Sequence, residues 1–164
     1  MVYPAARLGA AAHADMPVDV RDLHAEAGRV AAISRRAGAA LARAAMERLI
    51  KLVDPDAPRS ATLNQRIDRI RPRVSSAVEQ SLDVVRYVGN KMLHAEPPEQ
   101  LGELVVLVLD DNEGPQMVEW LLDTVNDLVD ELITKPRLAA AHADRLPDAI
   151  RSRMRADPPD ETVT

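Results

Sequence analysis

Three residue types that can move or stabilise charge recur at helical spacing within SLDVVRYVGNKMLH: Arg86, Asn90 and His94. At about 100° per residue they fall, with Asp83, within roughly 80° of arc, and Glu79 and Tyr87 lie alongside. A histidine moves a proton near neutral pH, an arginine stabilises a developing phosphorane-like oxyanion, and an asparagine orients either of them or the substrate. Cleavage of RNA through its own 2′-hydroxyl needs little more than this trio and no metal. The stripe lies opposite Val78, Val85 and Met92, so it should face solvent, a cleft or another subunit. An exposed helix face is also ordinarily polar, and Asp83 with Arg86 is an ordinary i,i+3 surface pair. His94, near the end of its helix, can equally serve the last carbonyls.

Other chemistries lack their residues. The chain has no cysteine, which excludes disulfides, iron–sulfur clusters and thiolate zinc sites. There is no Gly-rich phosphate loop, no His-Glu-x-x-His motif and no nucleophile elbow, and His13, His24 and His142 have no metal-ligand spacing to one another. No metal and no cofactor is expected. Trp120 and Tyr87 are too few for a base-stacking platform.

The element that positions the trio should be a helix from about Ser75 to Leu93, with Val78, Leu82, Val85, Gly89 and Met92 on its inner side. Gly89 there points to close backbone approach. A first helix begins after Pro17, with Val20, Leu23, Ala27, Val30 and Ala31 inward. Ser34 is a candidate cap for a second, Arg35 to Val53, whose expected inner face is Ala37, Leu41, Ala45 and Leu49, flanked by Ala40, Ala44 and Leu52. Asp54 to Pro58 ends it. LNQRIDRI sets Leu63, Ile67 and Ile70 on one side of a short helix closed by Pro72.

LGELVVLVLDD is an apolar run compatible with strand or helix; with no second such run to pair with, 101–111 is assigned to helix or irregular structure. Pro115 suits a first helical turn, after which Val118, Leu121, Leu122, Val125, Leu128, Val129 and Leu132 form the clearest stripe in the chain. Beyond Pro136, Leu138 to Ala141 and Pro147 to Met154 are expected to form further helical pieces.

The expected fold is therefore all-α, a compact bundle of about five helices. At 164 residues one domain suffices. The domain is placed at 17–155, between a flexible N-terminal tail at 1–16 and a frayed C-terminal tail at 156–164. Aromatics are 2% of the chain with no Phe, so the core must be filled by aliphatic residues and Ala, which favours close helix-on-helix packing. No stretch has the length of a membrane span and the N-terminus lacks a signal-peptide pattern, so a cytoplasmic location is expected.

A net charge of −5 supplies no global basic field for nucleic acid, so any such contact must be local. Carboxylates fill 99–131, which has no Lys or Arg, whereas Arg59, Arg66, Arg69, Arg71 and Arg73 cluster earlier. These arginines are either solvated helix surface, paired across the bundle or a dimer, or phosphate contacts; Arg66, Arg69, Arg71 and Arg73 are the candidate nucleic-acid residues.

Four segments in order, SRRAGAALARAAMERLIKLV, LNQRIDRI, SLDVVRYVGNKMLH and DTVNDLVDELITKP, resemble a widespread bacterial domain-of-unknown-function family that is a branch of the HEPN-like superfamily. The resemblance spans about Pro17 to Pro136, and its most specific element is Arg86 followed by Gly89, Asn90 and His94. It implies an all-α bundle, often dimeric, found near restriction, abortive-infection and other conflict systems. In active HEPN ribonucleases an arginine stands closer before the histidine, often followed by a polar residue, and two subunits bring these motifs together. Here Tyr87 comes directly after Arg86, which precedes His94 by eight positions (94 − 86) while staying on the same face. Members often begin with a cysteine zinc ribbon, which this chain lacks. Two functions are implied: a self-associating binding or regulatory module in a nucleic-acid-linked or defence context, and a metal-independent endoribonuclease acting across a dimer interface with His94, Arg86 and Asn90.

Overall fold

The computed structural model describes residues 8–93, 114–148 and 150, with side chains placed for 8–86, 116–148 and 150. His94, the segment 101–111 and the C-terminal tail lie outside the described residues. Among those described, every regular element is helical. They are α1 (Val18–Ala31), α2 (Arg35–Val53), α3 (Leu63–Ile70), a 3₁₀ turn (Arg71–Arg73), α4 (Ser76–Leu93), α5 (Gly114–Val129), a π turn (Asp130–Thr134) and α6 (Lys135–Ala143).

Local sequence sets the boundaries. The Ser34 hydroxyl accepts the Ala37 N–H at the start of α2. Thr62 and Gln65 form a reciprocal capping box on α3, satisfying two otherwise orphaned N–H groups. After Ile70, Pro72 limits the chain to a single 3₁₀ turn. The core then collects Val20 and Ala27 from α1, Met46, Leu49 and Ile50 from α2, Ile67 and Ile70 from α3, Leu82 and Val85 from α4, and the whole expected stripe of α5 from Val118 through Leu132.

The α1–α2 hairpin is the tightest seam. A Cβ added to Gly38 would lie 2.5 Å from the Ala31 Cβ and 2.7 Å from its Cα, so the two backbones approach as closely as glycine on alanine allows. This seam corrects the expected face of α2. Its buried residues are Gly38, Ala39, Ala42, Ala45, Met46, Leu49 and Ile50, whereas Ala37, Ala40 and Leu52 are exposed. The helix is rotated so that Met46 and Ile50 enter the core. In α1 the buried set includes His24 and Gly28 beside Val20, Ala27 and Ala31, with Leu23 and Val30 only partly covered. His24 Nε2 sits 3.2 Å from the Leu122 carbonyl and donates to it, a polar link between α1 and α5.

Residues 8–16, expected to belong to a flexible tail, are fastened to the bundle. Leu8 N–H donates to the Gly28 carbonyl, and Asn126 both accepts from His13 N–H and donates to the Ala11 carbonyl. Asp15 accepts from Thr134 and Arg137, and Met16 is buried. Gly9, at φ +82°, passes Leu122 where a Cβ would meet Cδ1 at 2.7 Å. Backbone groups, Asn126, the Asp15 carboxylate and the buried Met16 together anchor this stretch.

Pro136 does not terminate the helical run begun at Gly114. The residues before it close i→i+5, with Lys135 N–H donating to the Asp130 carbonyl. This wider turn accommodates a proline that lacks an N–H and crowds the carbonyl four residues back. The backbone stays helical at Val129, Thr134 and Lys135, and α6 extends the rod.

Candidate functional site

The candidate site is built on α4, whose first part packs inward through Val78, Leu82 and Val85. Ser75 starts it, its hydroxyl accepting Val78 N–H while its own N–H donates to Glu131. That last bond sets the start of α4 beside the end of the α5 run, so the two helices lie antiparallel.

Arg86 is the one member of the Arg86, Asn90, His94 trio whose side chain the structure places. Asn90 lies on the α4 backbone, and His94 falls outside the described residues. Arg86 Nη1 donates to Asp68 Oδ1 at 2.7 Å and lies 3.9 Å from Asp83 Oδ1, with 28% of the side chain exposed. Asp83 also accepts from Arg71, whose Nη1 pairs with Glu79 at 2.9 Å. A ladder of alternating charge, Asp68, Arg86, Asp83, Arg71 and Glu79, thus joins α3, the 3₁₀ turn and α4. At Arg86 the polar stripe, expected to face solvent, a cleft or another subunit, turns toward α3 of the same chain. The i,i+3 pair is present, but the shorter contact is the one to Asp68, eighteen residues earlier.

The arginine cluster is drawn into the fold in the same way. Arg66 is buried, with Nη2 donating to the Pro58 carbonyl at 3.0 Å and Nε to the Ala61 carbonyl at 3.3 Å, so it braces the loop between α2 and α3 from inside. Arg69 grips Asp54 in a two-pronged pair at 2.6 and 2.9 Å. These hydrogen bonds hold the Asp54 carboxyl below its ordinary pKa and the Arg69 guanidinium above its own. Arg73 donates to the Val53 carbonyl at 2.9 Å. Of the five arginines, Arg59, Arg69 and Arg73 are exposed and Arg66 is buried. The basic segment thereby clamps the end of α2 to α3 and α4.

A feature that sequence reasoning missed lies on the third face of α4. Ala77, Gln80, Ser81 and Val84 line one wall of a groove of about 490 Å³, and Gln116, Met117 and Trp120 of α5 line the other. Val84 is 42% exposed, and Met117 and Trp120 are partly so. The available signal was Val84 itself, an apolar residue off the core stripe of its helix. Along α5, Asp123 and Asp127 come after Trp120 at i+3 and i+7, on the same side of the helix. The Asp127 carboxyl is pushed up by partial burial and by the charges of Asp123, Glu131 and Asp130. Lys135, whose charge opposes that rise, is committed to Asp130 at 3.0 Å. Among the described residues no group of three His, Asp or Glu side chains is arranged to hold a metal ion, and no helix is long and apolar enough to cross a membrane.

Residues 25–153 match the family described as Domain of unknown function (DUF4145), and the chain belongs to that family. Neither a curated protein nor a solved structure matches it.

Proposed function

We propose that this member of the DUF4145 family is a helical binding or regulatory module that works by associating with a second copy of itself, without performing catalysis. The observation that carries this is how α4 apportions its three faces. One is spent on the core. The second is spent on the ion-pair ladder, where Arg86 is held by two carboxylates. The third is left open and partly apolar beside Trp120 and Met117. An arginine that must stabilise a phosphoryl oxyanion needs its N–H groups directed at the substrate. Here Asp68 occupies Nη1, and a substrate phosphate would have to displace it.

The ordered resemblance to the HEPN-like superfamily supports a nucleic-acid-linked or defence setting and a homodimer. Under this reading Arg86 is a brace retained from such a site. Light scattering across a concentration series should show a dimeric mass, and single-stranded RNA incubated with the protein in EDTA should remain intact. RNA cleavage that disappears in His94→Ala would instead establish the metal-independent endoribonuclease, with His94 moving the proton and Asn90 orienting. A strictly monomeric protein at high concentration would remove the self-association.

A further inference from the structure

The end of the bundle where α2 meets α3 holds more positive charge than its ion pairs consume. Arg66 is 6% exposed, and both of its side-chain hydrogen bonds go to neutral carbonyls, those of Pro58 and Ala61. A buried charge ordinarily sits against an opposite one. The carboxylate that feels Arg66 is Asp54, which Arg69 already grips with two hydrogen bonds and on which Arg73 also acts. Asp56, exposed, acts on Arg69. The Arg59 side chain has no ion pair or hydrogen bond among the described residues. The other charges of this end are spent elsewhere: Arg71 and Asp68 pair with residues of α4, and Lys51 pairs with Glu47. Four arginines, at 59, 66, 69 and 73, therefore share the aspartates at 54 and 56, in a chain whose net charge is −5.

This excess is held on fixed supports. Arg73 commits Nη1 to the Val53 carbonyl, and Arg69 commits Nε and Nη2 to the side chain of the next residue, Asp54. The two guanidinium groups are thereby anchored side by side at the end of α2. Each keeps N–H groups without a partner among the described residues, at Nη1 of Arg69 and at Nε and Nη2 of Arg73, and both side chains are exposed. Arg66 holds the loop at Pro58 and Ala61, on either side of Arg59, so the unpaired arginine rides on a braced turn. Donors already fixed in place lose less freedom on binding. Their planar, paired N–H groups match the oxygens of a phosphate.

The surroundings select among phosphate-bearing partners. From Lys51 to Arg73 there is no Phe, Tyr or Trp, so a single strand finds no base-stacking platform. Leu52 is the one large apolar side chain left exposed in that stretch, too little to enter a bilayer. A nucleic-acid duplex asks for neither, and it presents one negative charge per about 1.7 Å of its axis. We infer that Arg59, Arg69 and Arg73 form a contact surface for the phosphodiester backbone of a nucleic-acid duplex. Arg66 is the buried support that fixes the loop and adds its charge. This goes beyond the self-association proposed above and does not require it, and with no side chain placed to read base edges the contact is independent of sequence.

Fluorescence anisotropy of the full chain with short labelled duplexes tests it. Three phosphate contacts give a slope of about −2.7 for log K against log salt on B-DNA. Arg59→Gln removes one contact and no bond within the protein, so it should reduce the slope by about 0.9 and weaken binding about tenfold at about 0.05 M salt. Adding Arg73→Gln should remove about 0.9 more. Arg29→Gln, at an exposed arginine of α1 outside this end, should change neither quantity. DNA and RNA duplexes of unrelated sequence should bind within a few-fold of one another. Absence of binding at low salt, or equal weakening by Arg29→Gln, would overturn the surface. Tighter binding of a single strand than of its duplex would overturn the choice of duplex. Equal binding of polyglutamate or of anionic phospholipid vesicles would overturn the choice of nucleic acid. Because Arg59→Gln leaves every described hydrogen bond in place, its thermal midpoint should match the parent, and a loss of binding with that midpoint unchanged is a loss of contact.

Discussion

Replacing Arg86 by glutamine separates a brace from a catalytic group, because the two roles predict losses in different quantities. As a brace, Arg86 holds Asp68 at 2.7 Å and Asp83 at 3.9 Å with roughly a quarter of its surface open. In bulk water the bare attraction at 2.7 Å is about 1.5 kcal/mol. Side-chain ordering and solvent screening reduce such exposed pairs to about 0.2–1 kcal/mol each. Asp83 keeps Arg71 after the substitution, whereas Asp68 loses its partner. The expected cost of Arg86→Gln is therefore about 1 kcal/mol.

With a urea slope of about 2 kcal/mol per molar for a domain of this size, that cost lowers the unfolding midpoint by about 0.5 M. The contribution is electrostatic, so it should fall by at least half in 1 M salt, where the screening length is about 3 Å. Asp68→Asn should cost a similar amount, and the double variant should cost clearly less than the sum, with a coupling of about 0.5 kcal/mol or more. Urea unfolding followed by circular dichroism, at low and high salt, measures all of these. An unchanged midpoint for Arg86→Gln at low salt, or additivity with Asp68→Asn, would refute the brace and leave Arg86 free to meet a substrate.

Gly38→Ala should destabilise the fold by about 1–2 kcal/mol, because overpacking against the Ala31 backbone outweighs the gain of up to about 1 kcal/mol in helix propensity; Ala31→Gly should restore part of the loss in urea titrations. The pH dependence separates two aspartates. Asp54 has a folded pKa below its ordinary 3.8, so its stabilisation is present above that value and is lost as pH falls through the folded pKa; Asp54→Asn should flatten the acid limb of a stability–pH curve below about pH 4. Asp127 has a raised folded pKa, so its charge costs stability above that pKa and nothing once it is protonated in both states. Asp127→Asn should raise the thermal midpoint at pH 7 and leave it unchanged near pH 3. Asn126→Ala should cost about 1–2 kcal/mol and speed hydrogen exchange at the His13 amide, whose N–H it leaves without an acceptor.

What could be read in the sequence depended on contrast and on range. In α5 the apolar residues stand against Asp123, Asn126 and Asp127, so the periodicity gives the buried face directly, and Leu63, Ile67 and Ile70 stand out from arginine in the same way. In α2, alanines occur on several sides, at 37, 39, 40, 42, 44 and 45, and the pattern carries almost no phase. The close approach of Gly38 to Ala31, with burial of Met46, Leu49 and Ile50, goes with the rotation observed. The arginine partners are a matter of distance along the chain. Asp83 is visible from Arg86 by helical spacing, but Asp68 and Asp54 are brought to Arg86 and Arg69 by loops that no local pattern encodes. Fastening of residues 8–16 depends on Asn126, more than a hundred positions away, and on backbone groups with no sequence signature. For the trio that opened the chemical reading, spacing identified a shared face, and the fold supplied what Arg86 meets on it.

The π turn at Asp130–Thr134 encloses one residue more than an α turn would. Deleting a single codon there would return the run to ordinary α geometry, press Pro136 against a regular turn, and swing everything after it about the rod axis by roughly the angle of one residue, about 100°. The core upstream, through Val129, would be nearly untouched. The direction in which α6 leaves the bundle is therefore set by the register of one turn and open to change by a single-residue insertion or deletion, without redesign of the core.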